Sequence, residues 1–286
     1  MQEIIRIKID HLIFDCRTDG SKENELVIFL HGWPETSIMW KKLMSSMAKN
    51  GFYCVAPNMR GYSKDACPKG KRHYRLDKLA KDVLDISIFL EQPKFHLVGH
   101  DWGAVIGWKV VHEYQDKILS WTGISVPHPQ AFGKAIVVNP EQRKMSQYIK
   151  SFQVPYLPER NIRKNDFKLL KRLWRNHKSN EIDDYLEVFK NPKQLTASLN
   201  YYRSNYKSLK KADKNKILGG IHVPTLFIWG KNDVAIGSFS VEEGHQYMKN
   251  EYEFIALDSG HWLIQTNFDE LKMAISKHII RNKNKS

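Results

Sequence analysis

Short apolar segments alternate with amphipathic segments through the first 127 residues, and this alternation constrains the fold more than any other feature. Four segments have the length and the β-branched, aromatic composition of buried strands: ELVIFLHG, GFYCVAPNM, KFHLVGHD and ILSWTGISVP. Between two of them, residues 75–91 place Leu79, Ala80 and Val83 on one face of a helix. The alternation predicts an α/β fold with a mostly parallel central sheet. The N-terminal segment, MQEIIRIKIDHLIFD, alternates like a further strand.

The strand signal disappears between residues 128 and 215. Segments such as DFKLLKRLWRN, EIDDYLEVFKN and LTASLNYYRSNYKSL repeat their apolar residues with the period of a helix. Strands return with VPTLFIWG and YEFIALD, and a final helix is expected after Thr266-Asn267. The sequence therefore predicts a core formed by residues 1–127 and 216–286, with an all-helical cap, residues 128–215, inserted between its two parts. Ligands of such sheets bind beyond the carboxyl ends of the strands, the edge that a cap would cover.

One predicted strand runs into Gly99-His100-Asp101-Trp102-Gly103 and then into a helix of small residues. A strand-to-helix turn of this kind raises one side chain, usually a serine, above the sheet. Asp101 occupies that position here, and with an ordinary pKa of about 3.9 it is ionised without the help of a base. A carboxylate is a poor nucleophile toward esters and amides, but it displaces a leaving group at saturated carbon and forms a covalent alkyl ester. The turn therefore predicts a nucleophilic aspartate.

Two residues that could complete a catalytic triad follow later strands. Asp233 comes just after VPTLFIWG and His261 just after YEFIALD, in the chain order nucleophile, acid, histidine. The acid of related folds can instead follow the preceding strand, but ISVP contains no carboxylate, which favours Asp233. We expect His261, oriented by Asp233, to activate the water that hydrolyses the Asp101 ester. The HGWP segment after ELVIFL would direct the backbone N–H of Trp33 toward the ester and, with that of Trp102, form an oxyanion hole.

The chain resembles the epoxide hydrolases of the α/β-hydrolase fold over nearly its whole length. The resemblance rests on Asp233, on Gly260-His261 and on these segments: HGWPE (31–35), RGY (60–62), GHDWGA (99–104), VPHP (126–129), QYIKSFQ (147–153) and LNYYR (199–203). It implies an enzyme that converts an epoxide to a vicinal diol through a covalent ester. It also implies that two tyrosines of the cap hold the epoxide oxygen and donate a proton to it.

Matching to the family places these two roles on Tyr148 and Tyr202, with Tyr156 and Tyr201 as the alternatives. Helical periodicity supports Tyr202, which shares a face with Leu195, whereas Tyr201 points elsewhere. A phenol with a pKa of about 10 can serve as the general acid without being charged.

The chain departs from the family pattern around Arg60. Such sequences usually carry an acidic residue two positions before this arginine and a glycine after RGY, but this chain has Asn58 and Ser63. We expect the change to loosen an ion pair of Arg60.

Haloalkane dehalogenases use the same aspartate chemistry and are the closest alternative. Halide leaves as a stable anion and needs N–H donors rather than a proton donor. Trp102 could supply one donor, but the tryptophan of the insertion, Trp174, lies on an amphipathic helix with Phe167 and Leu170 and is predicted to be core. A fluoroacetate-type enzyme would need an arginine where Trp102 stands. A non-catalytic ligand-binding protein on this fold would not need both Asp233 and His261.

The composition bounds the partners. A formal net charge of +14 suggests nucleic acid or an anionic membrane, but the sequence carries no nucleic-acid-binding motif, so we interpret the charge as a solvated, lysine-rich surface. No apolar run approaches the ~20 residues of a membrane span. Three cysteines without a paired spacing favour the cytoplasm. No metal or cofactor is predicted. The expected partner is a small-molecule epoxide, bound by a monomer or a homodimer.

Overall fold

A computed structural model of the chain describes residues 2–211 and 220–283. Within these residues one eight-stranded sheet has the strand order β1-β2-β4-β3-β5-β6-β7-β8. The strands are β1 (Glu3–Ile9), β2 (Leu12–Asp19), β3 (Leu26–Leu30), β4 (Tyr53–Pro57), β5 (Phe95–His100), β6 (Ile118–Ile124), β7 (Thr225–Gly230) and β8 (Tyr252–Leu257). The strands from β4 to β8 in this order pair in parallel. The predicted α/β fold with a mostly parallel sheet is confirmed.

The N-terminal segment forms a hairpin rather than one strand. β1 and β2 pair antiparallel, and β2 also pairs antiparallel with β4, so the hairpin closes one edge of the sheet. The chain reverses at Asp10, whose φ of 53° is adopted readily by aspartate in tight turns. The alternating pattern continues through both strands and does not reveal the turn between them.

Helices cover both faces of the sheet and one end of it. They are α1 (Lys41–Lys49), α2 (Leu76–Phe89), α3 (Trp102–Glu113), α4 (Pro129–Val138), α5 (Pro140–Met145), α6 (Gln147–Ser151), α7 (Leu157–Leu173), α8 (Ser179–Lys190), α9 (Pro192–Lys211), α10 (Ser238–Gly244), α11 (Leu263–Thr266) and α12 (Phe268–Arg281). Helices α4 to α9 lie between β6 and β7, where the helical insertion is predicted. Its predicted end at residue 215 lies outside the described residues.

Alternate residues of the central strands feed two apolar clusters, one on each face of the sheet. Val27 and Phe29 of β3 pack with α1 and α12, whereas Ile28 and Leu30 pack on the opposite face, in the cluster that includes α2 and α3. Strands β3 to β7 are buried along their whole length, which explains why they read as continuous apolar runs. No helix of the described residues is long and apolar enough to cross a membrane.

Candidate active site

Asp101 stands at the turn between β5 and α3. Its backbone has φ 50° and ψ −117°, a conformation that a residue with a side chain rarely adopts and that raises this side chain above the sheet. The turn is possible because its neighbours lack side chains. A Cβ on Gly103 would come within 2.1 Å of the Leu30 carbonyl oxygen, and a Cβ on Gly32 within 2.4 Å of the Asp101 Cβ. The glycines therefore let the strand ends of β3 and β5 meet at the nucleophile.

The loop after β3 supplies a hydrogen bond to the Asp101 carboxylate. The backbone N–H of Trp33 donates to Asp101 Oδ1 at 2.7 Å. His31 holds this loop because its Nε2 accepts a hydrogen bond from the Met59 N–H at 3.1 Å. Burial lowers the pKa of His31 to about 4, so the ring is neutral and can act as that acceptor.

The second predicted donor of the oxyanion hole is the N–H of Trp102, the first residue of α3. In the part of the chain that the structure describes, this N–H makes no hydrogen bond to Asp101. Its participation in an oxyanion hole therefore remains a prediction.

His261 lies between the two predicted carboxylates. Its Nδ1 is 2.9 Å from Asp233 Oδ2, and its Nε2 is 3.6 Å from Asp101 Oδ2. Asp233 is held in turn by the backbone N–H groups of Ala235, at 2.7 Å, and Ile236, at 3.1 Å. The structure thus brings all three predicted residues together, and each nitrogen of the imidazole faces one of the two carboxylates.

Ser125 is a member of this group that the sequence analysis missed. It follows β6 with φ 70°, and its hydroxyl donates to Asp233 Oδ2 at 2.7 Å while lying 3.0 Å from His261 Nδ1. The ISVP segment contains no carboxylate, but Ser125 is a small polar residue at the carboxyl end of a central strand, between the nucleophile and the acid, and that position is the signal that identifies it.

The two carboxylates set the charge of the histidine. Burial alone would lower the pKa of His261, but Asp233 and Asp101 outweigh that effect and raise the pKa well above its ordinary value. Burial would raise the pKa of Asp233, but His261 and the hydrogen bonds to the carboxylate hold it below its ordinary value. His261 is therefore protonated at neutral pH, and it can act as a base only if one of the two facing charges is removed.

The two predicted tyrosines converge above this group. The Tyr202 ring, on α9, lies 5.0 Å from the Trp102 ring and 6.0 Å from the Trp33 ring, and the Tyr148 ring, on α6, lies 5.9 Å from Tyr202. Burial raises the pKa of both phenols, and the charge of Asp101 raises it further. A hydrogen bond between the two side chains acts in the opposite direction on Tyr148. Both phenols stay protonated over the whole physiological range and can donate.

The two alternative tyrosines do not offer their hydroxyls to Asp101, although the Tyr201 ring lies 5.4 Å from the Trp102 ring. Tyr201 is buried, and its hydroxyl donates to the Arg60 carbonyl oxygen at 2.7 Å, so it serves the contact between α9 and the core. Tyr156 is 85% exposed. The helical periodicity that favoured Tyr202 over its neighbour agrees with these positions.

The expectation that the ion pair of Arg60 is loosened is wrong. The Arg60 guanidinium forms a bidentate ion pair with Asp82 of α2, with Nε 2.7 Å from Oδ2. Asn58 takes a different role and accepts a hydrogen bond from the Ser37 N–H at 2.9 Å. The carboxylate that pairs with Arg60 comes from a helix and lies 22 residues later in the chain.

A second buried polar group lies behind the nucleophile. The fully buried Glu35 accepts hydrogen bonds from His177 of the cap, at 2.9 Å, and from Gln265, at 2.8 Å. Its other carboxylate oxygen is 3.4 Å from His100, whose Nε2 is 2.9 Å from the backbone oxygen of His261. Although burial opposes ionisation, His100 and His177 lower the pKa of Glu35 to about 2. This ionised group joins the cap to the segment that carries the catalytic histidine candidate.

Two sequence-based expectations concern residues outside this group. Trp174 is fully buried and packs on Tyr185, with ring centroids 5.2 Å apart, so it is core as predicted. Among the described residues, no three His, Cys, Asp or Glu side chains are grouped so that they could hold a metal ion.

The sequence is similar to those of known α/β hydrolases. The α/β hydrolase fold family matches residues 25–268. Human epoxide hydrolase 4 is 32% identical over 277 residues, covering 93% of this chain and 75% of the human protein. The AB hydrolase superfamily protein YfhM of Bacillus subtilis is 30% identical, covering 85% of this chain and 86% of its own length.

Solved structures agree in fold over nearly the whole chain. A structure from a study of epoxide hydrolases in metagenomes from hot environments has a TM-score of 0.86 at 26% identity and covers 98% of this chain and 99% of its own. The epoxide hydrolase of Bacillus megaterium, solved with an inhibitor, has a TM-score of 0.87 at 24% identity, covering 96% and 99%. At that identity the second likeness concerns the fold alone.

Proposed function

The chain belongs to the epoxide hydrolases of the α/β-hydrolase fold family, and on that premise we propose that it converts epoxides to vicinal diols through a covalent ester of Asp101. The observation that carries the proposal is the position of the Asp101 carboxylate. One oxygen accepts the Trp33 N–H, the other faces His261, and two protonated tyrosines cover the site. We further propose that residues 128–215 form the cap that supplies these tyrosines.

In the first step Asp101 Oδ2 attacks an epoxide carbon, and the bond from that carbon to the ring oxygen breaks. The oxygen leaves as an alkoxide and takes a proton from the tyrosine pair, Tyr148 and Tyr202. Oδ1 stays on the Trp33 N–H and becomes the carbonyl oxygen of the ester. Positioned proton donors of this kind contribute about 10²–10⁴-fold to a rate.

Ester formation changes the charge around His261 and so turns it into a base. The free carboxylate of Asp101 is one of the two charges that raise the pKa of His261. Once Asp101 is esterified, that charge is gone and the pKa of His261 falls. His261 then loses its proton and the tyrosinate regains one, so the imidazole is neutral and both phenols are intact before the second step. The histidine therefore becomes competent for the second step only after the first has occurred.

In the second step His261 removes a proton from water, and the hydroxide attacks the ester carbon of Asp101. The negative charge develops on Oδ1, where the Trp33 N–H, and in our proposal the Trp102 N–H, stabilise it. The ester bond breaks, and His261 gives the proton that it took from water to the leaving alkoxide of the diol. The second proton of the water, now on the Asp101 carboxyl group, passes to His261 as Asp101 ionises again. Asp233 and Ser125 hold the imidazole in place for this transfer.

A paired turnover assay tests the function. Purified protein is offered small aryl and alkyl epoxides, with diol measured, and separately bromoalkanes, with bromide measured. We expect diol and little or no bromide, because the tyrosines serve a basic oxygen that needs a proton and not a stable halide. Bromide without diol would contradict the proposal.

Haloalkane displacement remains the second candidate because of one observation. The indole N–H of Trp33, a residue whose backbone N–H donates to Asp101, is buried and has no hydrogen-bond partner among the described residues, so it is a donor that a halide could use. If bromide is released, we propose that this indole N–H donates to the leaving halide. In that case Tyr202→Phe would leave bromide release unchanged.

A further inference from the structure

The cap carries most of the positive charge of the chain. Residues 128–215 contain 19 Lys and Arg against 8 Asp and Glu, a net +11 of the total +14. Within the cap, residues 157–178 alone hold eight basic and two acidic residues. Lysines occur along the whole sequence, but the net positive charge is concentrated in the cap.

The acidic residues of this segment are already occupied. Glu159 accepts hydrogen bonds from Arg203 of α9, with Nη1 2.7 Å from Oε1, and Asp166 pairs with Lys171. In the ranges that the structure describes, the other basic side chains of residues 157–178 form no ion pair and lie exposed; these are Arg160, Arg163, Lys164, Lys168, Arg172, Arg175 and Lys178. Their charge is directed to solvent and is available to an external partner.

Large apolar side chains are exposed beside these charges. Tyr156 is 85% exposed, Leu157 49% and Val154 45%. Together with Arg160 they lie at the start of α7, where a groove of about 910 Å³ runs toward α9 and Pro192. Exposed apolar groups beside a dense basic cluster have the composition of a membrane-surface binding site rather than of an ordinary solvated surface.

We propose that this basic face of the cap, residues 154–175, docks reversibly on bilayers of anionic phospholipid. Lysine and arginine side chains attract the lipid head groups, and each contributes about fivefold to the partition constant. The apolar side chains of Val154, Tyr156 and Leu157 enter the boundary between head groups and acyl chains. Nucleic acid explains the surface less well, because exposed aliphatic side chains gain nothing from a phosphate backbone.

The docking face is joined directly to the candidate site. Arg203 follows Tyr202 on α9, and its guanidinium donates to the backbone oxygens of Phe152, at 2.8 Å, and Val154, at 3.0 Å. The Phe152 ring in turn lies 5.0 Å from the Tyr202 ring. If the proposed function holds, an apolar epoxide dissolved in the bilayer would meet the enzyme next to its tyrosines. The docking itself does not depend on that function.

Co-sedimentation with vesicles tests the docking without reference to activity. The full chain is mixed with vesicles of phosphatidylcholine alone or of phosphatidylcholine with phosphatidylglycerol. We expect binding only to the anionic vesicles, and loss of binding when salt rises from about 0.1 M to about 1 M, where the screening length falls from ~10 Å to ~3 Å. Equal binding to both vesicle types, or no binding to either, would overturn the proposal.

Two triple variants locate the binding surface. Arg160→Gln, Arg163→Gln and Lys164→Gln together should lower the partition constant about 100-fold, at fivefold per residue. The control replaces three exposed lysines of the core, by Lys8→Gln, Lys94→Gln and Lys277→Gln. The loss in partition constant should be at least tenfold smaller for the control than for the cap variant. Equal losses would show that overall charge and not this face is responsible.

The apolar contribution has its own test. Tyr156→Ser should weaken binding to anionic vesicles several-fold while leaving the circular dichroism spectrum unchanged, and an unchanged partition constant would contradict insertion. A single-stranded oligonucleotide serves as the competing probe. If it binds at about 0.1 M salt and the anionic vesicles do not, the face recognises nucleic acid and the proposal fails.

Discussion

The core and the cap contribute to the candidate site in different ways. In the core, Asp101, Asp233 and His261 each follow a strand directly, and parallel strands bring their carboxyl ends to one edge. In the cap, Tyr148 and Tyr202 lie on separate helices, and their direction depends on how those helices pack. The core therefore fixes the charges of the site by its topology, whereas the proposed cap places the proposed proton donors by side-chain packing.

The largest expected effect comes from the core. Asp101→Asn removes the nucleophile but keeps an oxygen for the Trp33 N–H, so we expect turnover to fall by about 10⁶-fold, as for other nucleophiles. The melting temperature should stay within a few degrees of that of the parent protein. Steady diol formation by the variant would show that the nucleophile lies elsewhere.

The next effect tests the cap, and adjacent tyrosines provide a matched pair. Tyr202→Phe should slow epoxide opening by about 10²–10³-fold, because a general acid is lost. Tyr201→Phe removes a hydroxyl that bonds to the Arg60 carbonyl oxygen, so it should cost about 1 kcal/mol of unfolding free energy and little activity. The readouts are single-turnover rates and thermal unfolding. Similar losses of activity in both variants would refute the assignment.

This pair also shows how far sequence goes. Helical periodicity separates Tyr202 from Tyr201 because their directions around one helix differ by about 100°. Family matching alone left Tyr156 open, and only the fold shows that this residue faces solvent. Asp82, the partner of Arg60, and His177, a partner of Glu35, come from distant segments and carry no local signal. Strand-end residues could be predicted, and partners brought together by packing could not.

A smaller effect is expected from Ser125, the group that the sequence analysis missed. Ser125→Ala removes one hydrogen bond to Asp233, which keeps those from the Ala235 and Ile236 N–H groups. We expect ester hydrolysis to slow about five- to tenfold. Ser120→Ala, which removes a buried hydroxyl next to His96 at the other end of β6, is the control and should leave the rate unchanged. A loss with Ser120→Ala as large as with Ser125→Ala would point to general strain in the strand.

The last effect concerns stability rather than rate, at the contact that joins the two regions. The pKa of Glu35 is lowered to about 2, so its ionised form stabilises the fold above the ordinary pKa of a glutamate, and that stabilisation disappears as pH falls through 2. Glu35→Gln should therefore unfold more easily than the parent by about 1–3 kcal/mol at pH 7. The difference should shrink below pH ~4.5. The exposed Glu23→Gln is the control, and denaturant unfolding at several pH values is the measurement. If the difference in unfolding free energy did not change with pH, the charge of Glu35 would not contribute to this contact.

A single turnover in H₂¹⁸O tests the proposed covalent ester of Asp101 most directly. Enzyme in excess over an epoxide is allowed one turnover, and the diol and the peptide that contains Asp101 are weighed by mass spectrometry. Because water attacks the Asp101 carbonyl carbon in the proposed mechanism, we expect ¹⁸O in the Asp101 carboxylate and none in the diol. Label in the diol, with an unlabelled Asp101, would mean that water opens the epoxide directly and would contradict the proposed mechanism.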